Sequence, residues 1–523
     1  MYKKMSLKVD KSEIICVIAA SLALQCIIST YDYSGFRTPP LYGDFEAHRH
    51  WMEITTNLNV TDWYRNTSDN DLSYWGIDYP PLAVYHSWAL GYIVKSWLNC
   101  SQWIELHKSR GFESTYLKMF MRLSVICSWI CTMLPAAILL SIRRDSKLSL
   151  LSFTYISINP ILMIIDNGHF QYNCLPLGLS MLAVWLLLSE YWVAGTISYT
   201  CALFLKQMSA YYVVPIVAYC LHQSLYHKKR FELLFRFIFV GLGCATLLCL
   251  PYLLNSKENT ILMFNRLIPI QRGVFEDKVA NFWSTLNIFY KIRVKHSTSN
   301  LLIVSCVLTS IPQIPICVRI SKLNILKCMF ISSLCFYLFS FQVHEKSIVF
   351  PAVIAAADLT ENNFEFYTWF LNIGYISLFP LIEKDDLCFI GVNIFLINFL
   401  LDQFLSRPGR RFDIKNPYSY KTLSILGGCL LASPAMKRRI ERWISDNWSE
   451  LIAEARYLQS TRKSKECIQA QIDWKVAFRR SMQKGDTKAT IKSLEDASDG
   501  SYLNPDEVIG SSTVRQLLES KHP

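Results

Sequence analysis

Residues 42–53, YGDFEAHRHWME, set Asp44, Glu46 and Glu53 beside Arg49 and two histidines directly after an apolar run. Four later stretches repeat this mixture of ionisable and flat side chains. YWGIDYPP (74–81) holds Asp78 among Tyr74, Trp75 and Tyr79, and DNGHFQYN (166–173) holds His169, Gln171 and Tyr172. RLIPIQRGVFEDKVANFW (266–283) holds Arg272, Lys278 and Trp283, and VHEKS (343–347) holds His344 and Lys346. The chemistry on offer is proton transfer next to an anion. Asp44, Glu46 or Asp78 can take a proton from a hydroxyl as it attacks. His344, Lys346, Arg272 and Lys278 can grip a phosphate through charge-assisted hydrogen bonds. Trp75, Tyr79, Tyr172 and Trp283 present faces to a sugar or a lipid, with Arg49, His169 and Gln171 as polar contacts.

Each group also has a plainer reading. Asp44 and Glu46 can cap the helix that EAHRHWMEIT suggests, and YPP is a turn signal. His169 and His344 can be ordinary hydrogen-bonded histidines. His48 and His50 stand two apart and do not share a helix face, which argues against zinc. Asp-Asn-Asp at 69–71 has the Asp-x-Asp spacing of nucleotide-sugar transferases but no strand–helix unit around it. No Gly-rich phosphate loop, His-Glu-x-x-His or Cys-x-x-Cys pair occurs in the chain. No cofactor is expected, and a divalent metal is left open.

The elements that must carry these residues are membrane helices. The chain is 523 residues long, 52% hydrophobic and only 18% charged, with mean hydropathy +0.22; soluble domains carry about 25% charged residues. Charge-free runs at 14–30, 123–142, 237–256 and 387–401 approach the roughly 20 residues that cross a bilayer. A β-barrel would alternate apolar and polar residues instead. The net charge of +12 comes from short Lys/Arg clusters between apolar runs, the positive-inside pattern, so nucleic acid is not the expected partner. The first run, flanked by Lys3, Lys4, Lys8 and Lys11, reads as an uncleaved signal anchor. Nearly all of the 17 cysteines fall inside apolar runs, so no disulfide framework is expected.

Reading the basic clusters as cytosolic gives about 12 crossings and puts a large first loop, residues 31–116, on the far side. All the motifs above fall on that side, and ionisable groups near a bilayer are costly and usually functional. Three N-glycosylation sequons, at Asn59, Asn66 and Asn99, lie in that same loop. A fourth, at Asn447, falls in a mixed-charge segment, 412–523, that reads as a mostly cytosolic tail. The expectation is therefore a multi-pass domain over 1–411 followed by this tail.

Taken together, GDFEAHRHWMEIT, DLSYWGIDYPPLAVYHS, DNGHFQYN, LKQM, RGVFEDKVANFW and FQVHEKS resemble, in order, the endoplasmic-reticulum glucosyltransferases of N-glycan precursor assembly. The resemblance spans residues 13–405 and is strongest to members that add the first glucose. It implies an all-α polytopic membrane protein of the GT-C fold in the endoplasmic-reticulum membrane, with its active site facing the lumen. It implies dolichyl-phosphate-glucose as donor and the dolichyl-diphosphate oligosaccharide Man9GlcNAc2 as acceptor, joined in an α-1,3 linkage with inversion. Asp44 matches the family's catalytic base, Asp78 a second acidic position, and His344 a residue near the donor phosphate. The sister enzyme that adds the second glucose is the nearest alternative. A transporter or flippase is the alternative from another class, and it would place its charges near the midplane of repeated, broken helices.

Overall fold

The computed structural model describes residues 11–141, 149–267, 279–321, 324–405 and the pairs 508–509 and 512–513. The chain forms two compact units, Met1–Gly428 and Cys429–Pro523. Described residues of the first unit are helices and connecting turns. In the second, the described residues are a two-stranded antiparallel ladder pairing Val508 with Thr513 and Ile509 with Ser512. That ladder is the one departure from an all-helical fold among the described residues. The rest of the expected tail, with Asn447, lies outside them.

Five helices are long and apolar enough to cross a membrane: Lys11–Thr30, Thr115–Ser141, Leu150–Phe170, Arg230–Asn255 and Thr298–Arg319. Shorter apolar helices, Cys174–Leu188, Trp192–Leu205, Ile325–Phe339 and Cys388–Gln403, accompany them. The first, second and fourth of the long spans fall on the expected apolar runs at 14–30, 123–142 and 237–256, and the run at 387–401 falls on the shorter helix Cys388–Gln403. The segment between Thr30 and Thr115, expected as a loop, holds the helices Asp44–Asn57 and Pro81–Ser96. The second of these starts on the Tyr-Pro-Pro stretch, with proline at its first turn, where its missing N–H costs nothing.

Two features of the spans position the site. The span Leu150–Phe170 is interrupted. Helix Leu150–Ser157 stops, Asn159 caps a new turn from Pro160 through its side chain, and the chain then widens into a π-helical segment, Ile164–Phe170. Such π segments are rare and often mark functional places. The span near the C-terminal end of the unit is likewise broken, with helix Phe379–Lys384 followed by a tight turn and then helix Cys388–Leu405.

Apolar packing alone discriminates poorly between helices when the solvent is itself apolar, so buried polar bonds matter more. Tyr155 hydrogen-bonds Asp402, Asn372 Nδ2 donates to the other Asp402 oxygen at 2.5 Å, and Asn398 donates to Asn372 at 3.0 Å. These bonds tie helices Leu150–Ser157, Phe364–Ser377 and Cys388–Leu405 together. A separate apolar cluster of Trp51, Ile54, Trp63, Tyr64, Ile77, Val84, Cys249, Tyr252 and Met263 fastens the segment after Thr30 to helices Arg230–Asn255 and Lys257–Leu267.

Candidate active site

Asp44 is the first residue of its helix, and Gly43 is the N-cap with φ 145°. A Cβ at Gly43 would stand 2.7 Å from the Ser34 carbonyl, closer than any real contact. The glycine is therefore required by the backbone of residue 34. Ser34 Oγ accepts from Asp44 N at 3.3 Å, and Ser34 N donates to the His169 carbonyl at 3.0 Å. The turn thus mounts Asp44 directly against the π segment.

Three groups from distant parts of the chain meet one oxygen of Asp44. Gln171 Nε2 donates to Oδ2 at 2.6 Å, Lys346 Nζ lies 2.8 Å from it, and His169 Nε2 lies 3.2 Å from it. Among the described residues Oδ1 has no hydrogen-bond partner, and the Asp44 side chain keeps 22% of its exposure. Burial alone would raise the Asp44 pKa. Lys346 and His169 outweigh it and hold the carboxyl well below the usual carboxylate range.

The partners of Asp44 are themselves held. Gln171 Oε1 accepts from Lys206 Nζ at 2.8 Å and from Asn173 Nδ2 at 2.9 Å, so the amide can only turn its N–H face to Asp44. Lys206 also donates to Asn173 Oδ1 at 2.6 Å. Asp166 accepts from Asn173 N and Nδ2 and from Cys174 N, at 3.1, 2.8 and 2.7 Å, and so closes the start of helix Cys174–Leu188. Phe170, next to His169, has φ 91°, a costly conformation for a bulky residue. That turn points His169 inward while Gln171 faces Asp44.

Beside this cluster lies a small cavity lined by His48, Trp51, Tyr79, His86, Tyr172 and Lys206 among others. Burial pushes the His48 pKa down to about 3 and that of His86 down to about 4. Both rings are therefore neutral near pH 7 and able to donate and accept hydrogen bonds. Lys206 Nζ stands 5.3 Å from the Tyr79 ring centre.

The other expected residues fall in several places. Asp78 is half-buried, and its carbonyl accepts from Gln207. Trp75 donates its indole N–H to the Leu41 carbonyl, and its own carbonyl accepts from Trp51 Nε1 at 2.8 Å. His344 is half-buried and precedes the short 3-10 turn Glu345–Ile348 that carries Lys346. Arg272 and Lys278 lie outside the described residues. Asn59, Asn66 and Asn99 are all exposed.

Three expectations are corrected. Glu46 and Arg49 face away from the Asp44 cluster into a closed ion knot. Arg49 is fully buried, Nε and Nη2 each meet Glu46 at 2.7 Å, Nη2 also meets Glu53 at 2.7 Å, and Nη1 donates to the Trp103 carbonyl and to Ser109. Glu46 also accepts from Tyr74 OH and Gly111 N, which leaves it no capacity for a substrate. Trp283 is buried in a small apolar cluster with Ile292 and Leu301, its indole N–H on the Phe339 carbonyl at 2.9 Å. Two residues given no role in the sequence reading belong to the cluster: Lys206, which lies in the LKQM motif, and Asp385. Among the described residues no three His, Cys, Asp or Glu side chains converge to hold a metal ion.

A helical membrane domain with an acid–cation cluster where its helix ends meet points to a membrane transferase, and comparison with known proteins supplies the family. Residues 20–441 match the ALG6, ALG8 glycosyltransferase family, and the chain belongs to it. Its relatives include a Drosophila melanogaster protein named as a probable dolichyl pyrophosphate Man9GlcNAc2 alpha-1,3-glucosyltransferase, 40% identical over 72% of this chain and 81% of that protein. A Schizosaccharomyces pombe protein of the same name is 36% identical over 82% of this chain and 87% of its own length. The Rattus norvegicus dolichyl pyrophosphate Man9GlcNAc2 alpha-1,3-glucosyltransferase is 37% identical over 71% and 74%. The family match runs past residue 411 into the segment expected as a tail.

Proposed function

We propose that this protein transfers glucose from dolichyl-phosphate-glucose to the dolichyl-diphosphate oligosaccharide Man9GlcNAc2, forming an α-1,3 linkage with inversion at the lumenal face of the endoplasmic-reticulum membrane. The observation that carries the reading is the loading of Asp44. Two donors, Gln171 and Lys346, and the His169 ring crowd Oδ2, which leaves Oδ1 to receive a proton. The names of the relatives supply the acceptor and the linkage.

In this reading the acceptor hydroxyl approaches the donor sugar on the face opposite its phosphate. Its oxygen forms the new bond to C1 as its proton passes to Asp44 Oδ1. The bond from C1 to the phosphate oxygen breaks, and its electron pair leaves with dolichyl phosphate. Because a β-linked donor gives an α-linked product in one displacement, one base suffices and no covalent intermediate forms. This reading assigns the leaving phosphate, as its charge grows, to Lys346 and to His344 two residues before it. The cavity lined by Trp51, Tyr79, Tyr172, His48 and His86 offers aromatic faces for the C–H surface of a sugar and neutral imidazoles for its hydroxyls, and it must widen to admit a pyranose. Both substrates are lipids, which explains why the cluster sits at helix ends. The reading requires no metal.

Purified enzyme in nanodiscs, supplied with dolichyl-phosphate-glucose and either unglucosylated or monoglucosylated acceptor, tests this function. Product is expected from the wild-type enzyme with the unglucosylated acceptor, and Asp44→Asn is expected to lower its formation by about 10²–10⁴-fold. Transfer only to the monoglucosylated acceptor would identify the sister activity instead.

A further inference from the structure

His169 touches Asp44 with one ring nitrogen, and its other nitrogen is committed elsewhere. Asp385, in the turn between helices Phe379–Lys384 and Cys388–Leu405, places Oδ2 against His169 Nδ1. The two residues are 216 positions apart in the chain. Asp385 is 4% exposed, and its second oxygen, Oδ1, is buried without a hydrogen-bond partner among the described residues. A buried carboxylate oxygen left without a hydrogen-bond partner is costly. Helix packing alone gives no reason to put an acid there.

The backbone of the π segment is already fixed without Asp385. Arg122 Nη2 donates to the Gly168 carbonyl at 2.7 Å, and Ser34 N donates to the His169 carbonyl. What these bonds leave free is rotation of the imidazole. An ionised carboxylate can only accept, so the ring must present N–H at Nδ1 to Asp385. With Nδ1 so engaged, Nε2 lies 3.2 Å from Asp44 Oδ2 and 3.3 Å from Lys346 Nζ. A flipped ring would offer carbon atoms to both. We propose that Asp385 is a positioning residue: through His169 it fixes the imidazole whose Nε2 keeps Asp44 Oδ2 in place, so that Oδ1 faces the acceptor hydroxyl. The proposal rests on Asp44 being the base.

A double-mutant cycle on the full-length enzyme in nanodiscs tests it, comparing Asp385→Asn, His169→Gln and the double variant at equal folded amounts. Groups that orient a reacting side chain from behind are worth about 10–100-fold. Asp385→Asn is expected to lower kcat by that factor, with KM for donor and acceptor unchanged within about twofold. Gln places an amide nitrogen near the position of Nε2 without needing a partner at Nδ1. In the His169→Gln background Asp385→Asn is therefore expected to cost less than about twofold, because the effect passes through the ring. Wild-type kcat in Asp385→Asn, or an undiminished loss in the His169→Gln background, would overturn the proposal. Asp385→Ser carries the same cycle if Asp385→Asn does not fold, and failure of both to fold would make Asp385 a folding determinant and overturn the proposal too. Asp44→Asn run in parallel tests the base separately. Normal turnover there sinks the base reading, an outcome distinct from loss of coupling because the cycle never alters Asp44.

Discussion

Two acid–cation clusters begin on the same helix, less than two turns apart, and they behave oppositely. The Arg49 knot is closed: Glu46, Arg49 and Glu53 are 4%, 0% and 0% exposed, and both carboxylates are filled by donors. The Asp44 cluster is open. Its acid is 22% and its lysine 16% exposed, and its three neighbours crowd a single oxygen. The residue types are nearly identical. The contrast lies in unused valence: a group with every hydrogen bond made can only hold a structure, whereas one with an accessible free oxygen can exchange a proton.

The sharpest way to break this comparison is to disable one residue of each cluster, with a shape-preserving amide at Asp44 and a truncation at Arg49. Asp44→Asn is expected to lower turnover by about 10²–10⁴-fold, the usual contribution of a positioned base, with thermal unfolding unchanged. Near-normal turnover would place the two clusters in one class. Arg49→Ala is expected to do the reverse. It strands two buried carboxylates, which costs about 3–5 kcal/mol, and the loss should be seen as a lower unfolding midpoint and poor yield of folded protein. Full stability would show that the knot is dispensable.

A smaller effect is expected from Lys346→Met. Lys346 is the largest of the influences that lower the Asp44 pKa against burial. Without it the pKa rises, and the acid limb of the kcat/KM profile should move to higher pH. In the wild type, stability from ionised Asp44 is complete above about pH 3.9, the unfolded value. It is lost as pH falls through the lower folded value. An acid limb that stays in place would remove Lys346 from the cluster's electrostatics. The smallest effect is expected outside both clusters. Asn59→Gln, Asn66→Gln and Asn99→Gln should change stability by no more than about 0.5 kcal/mol, while at least one abolishes an endoglycosidase-sensitive mobility shift.

Much of the cluster was legible in the linear pattern because ionisable residues at a bilayer boundary stand out against apolar runs. Asp44, His169, Gln171 and Lys346 were read this way, and the structure brings them together. The same signal misplaced Glu46 and Arg49, since carboxylates two positions apart on a helix look alike until their partners at Tyr74, Ser109 and Gly111 are known. Lys206 left a trace, a lone cation between two apolar runs, whose partners Gln171 and Asn173 only the folded chain supplies. Asp385 left none: in Glu-Lys-Asp-Asp it reads as an ordinary charged turn. The spans at 14–30 and 237–256 were plain from hydropathy. The π segment at Ile164–Phe170 was not, because its widening depends on what packs around it.

The Arg49 knot also has a consequence for the order in which the molecule is assembled. Each of its bonds joins residues between Glu46 and Gly111. The whole knot can therefore close once the first fifth of the chain has emerged. The Asp44 cluster needs Lys346 and, for His169, Asp385. At about 5–20 residues per second, ribosomal synthesis delivers that last residue roughly 15–50 s later. For that interval the nascent protein carries a finished frame and an unassembled Asp44 cluster, and Asp44 acquires its partners only when the last turn arrives.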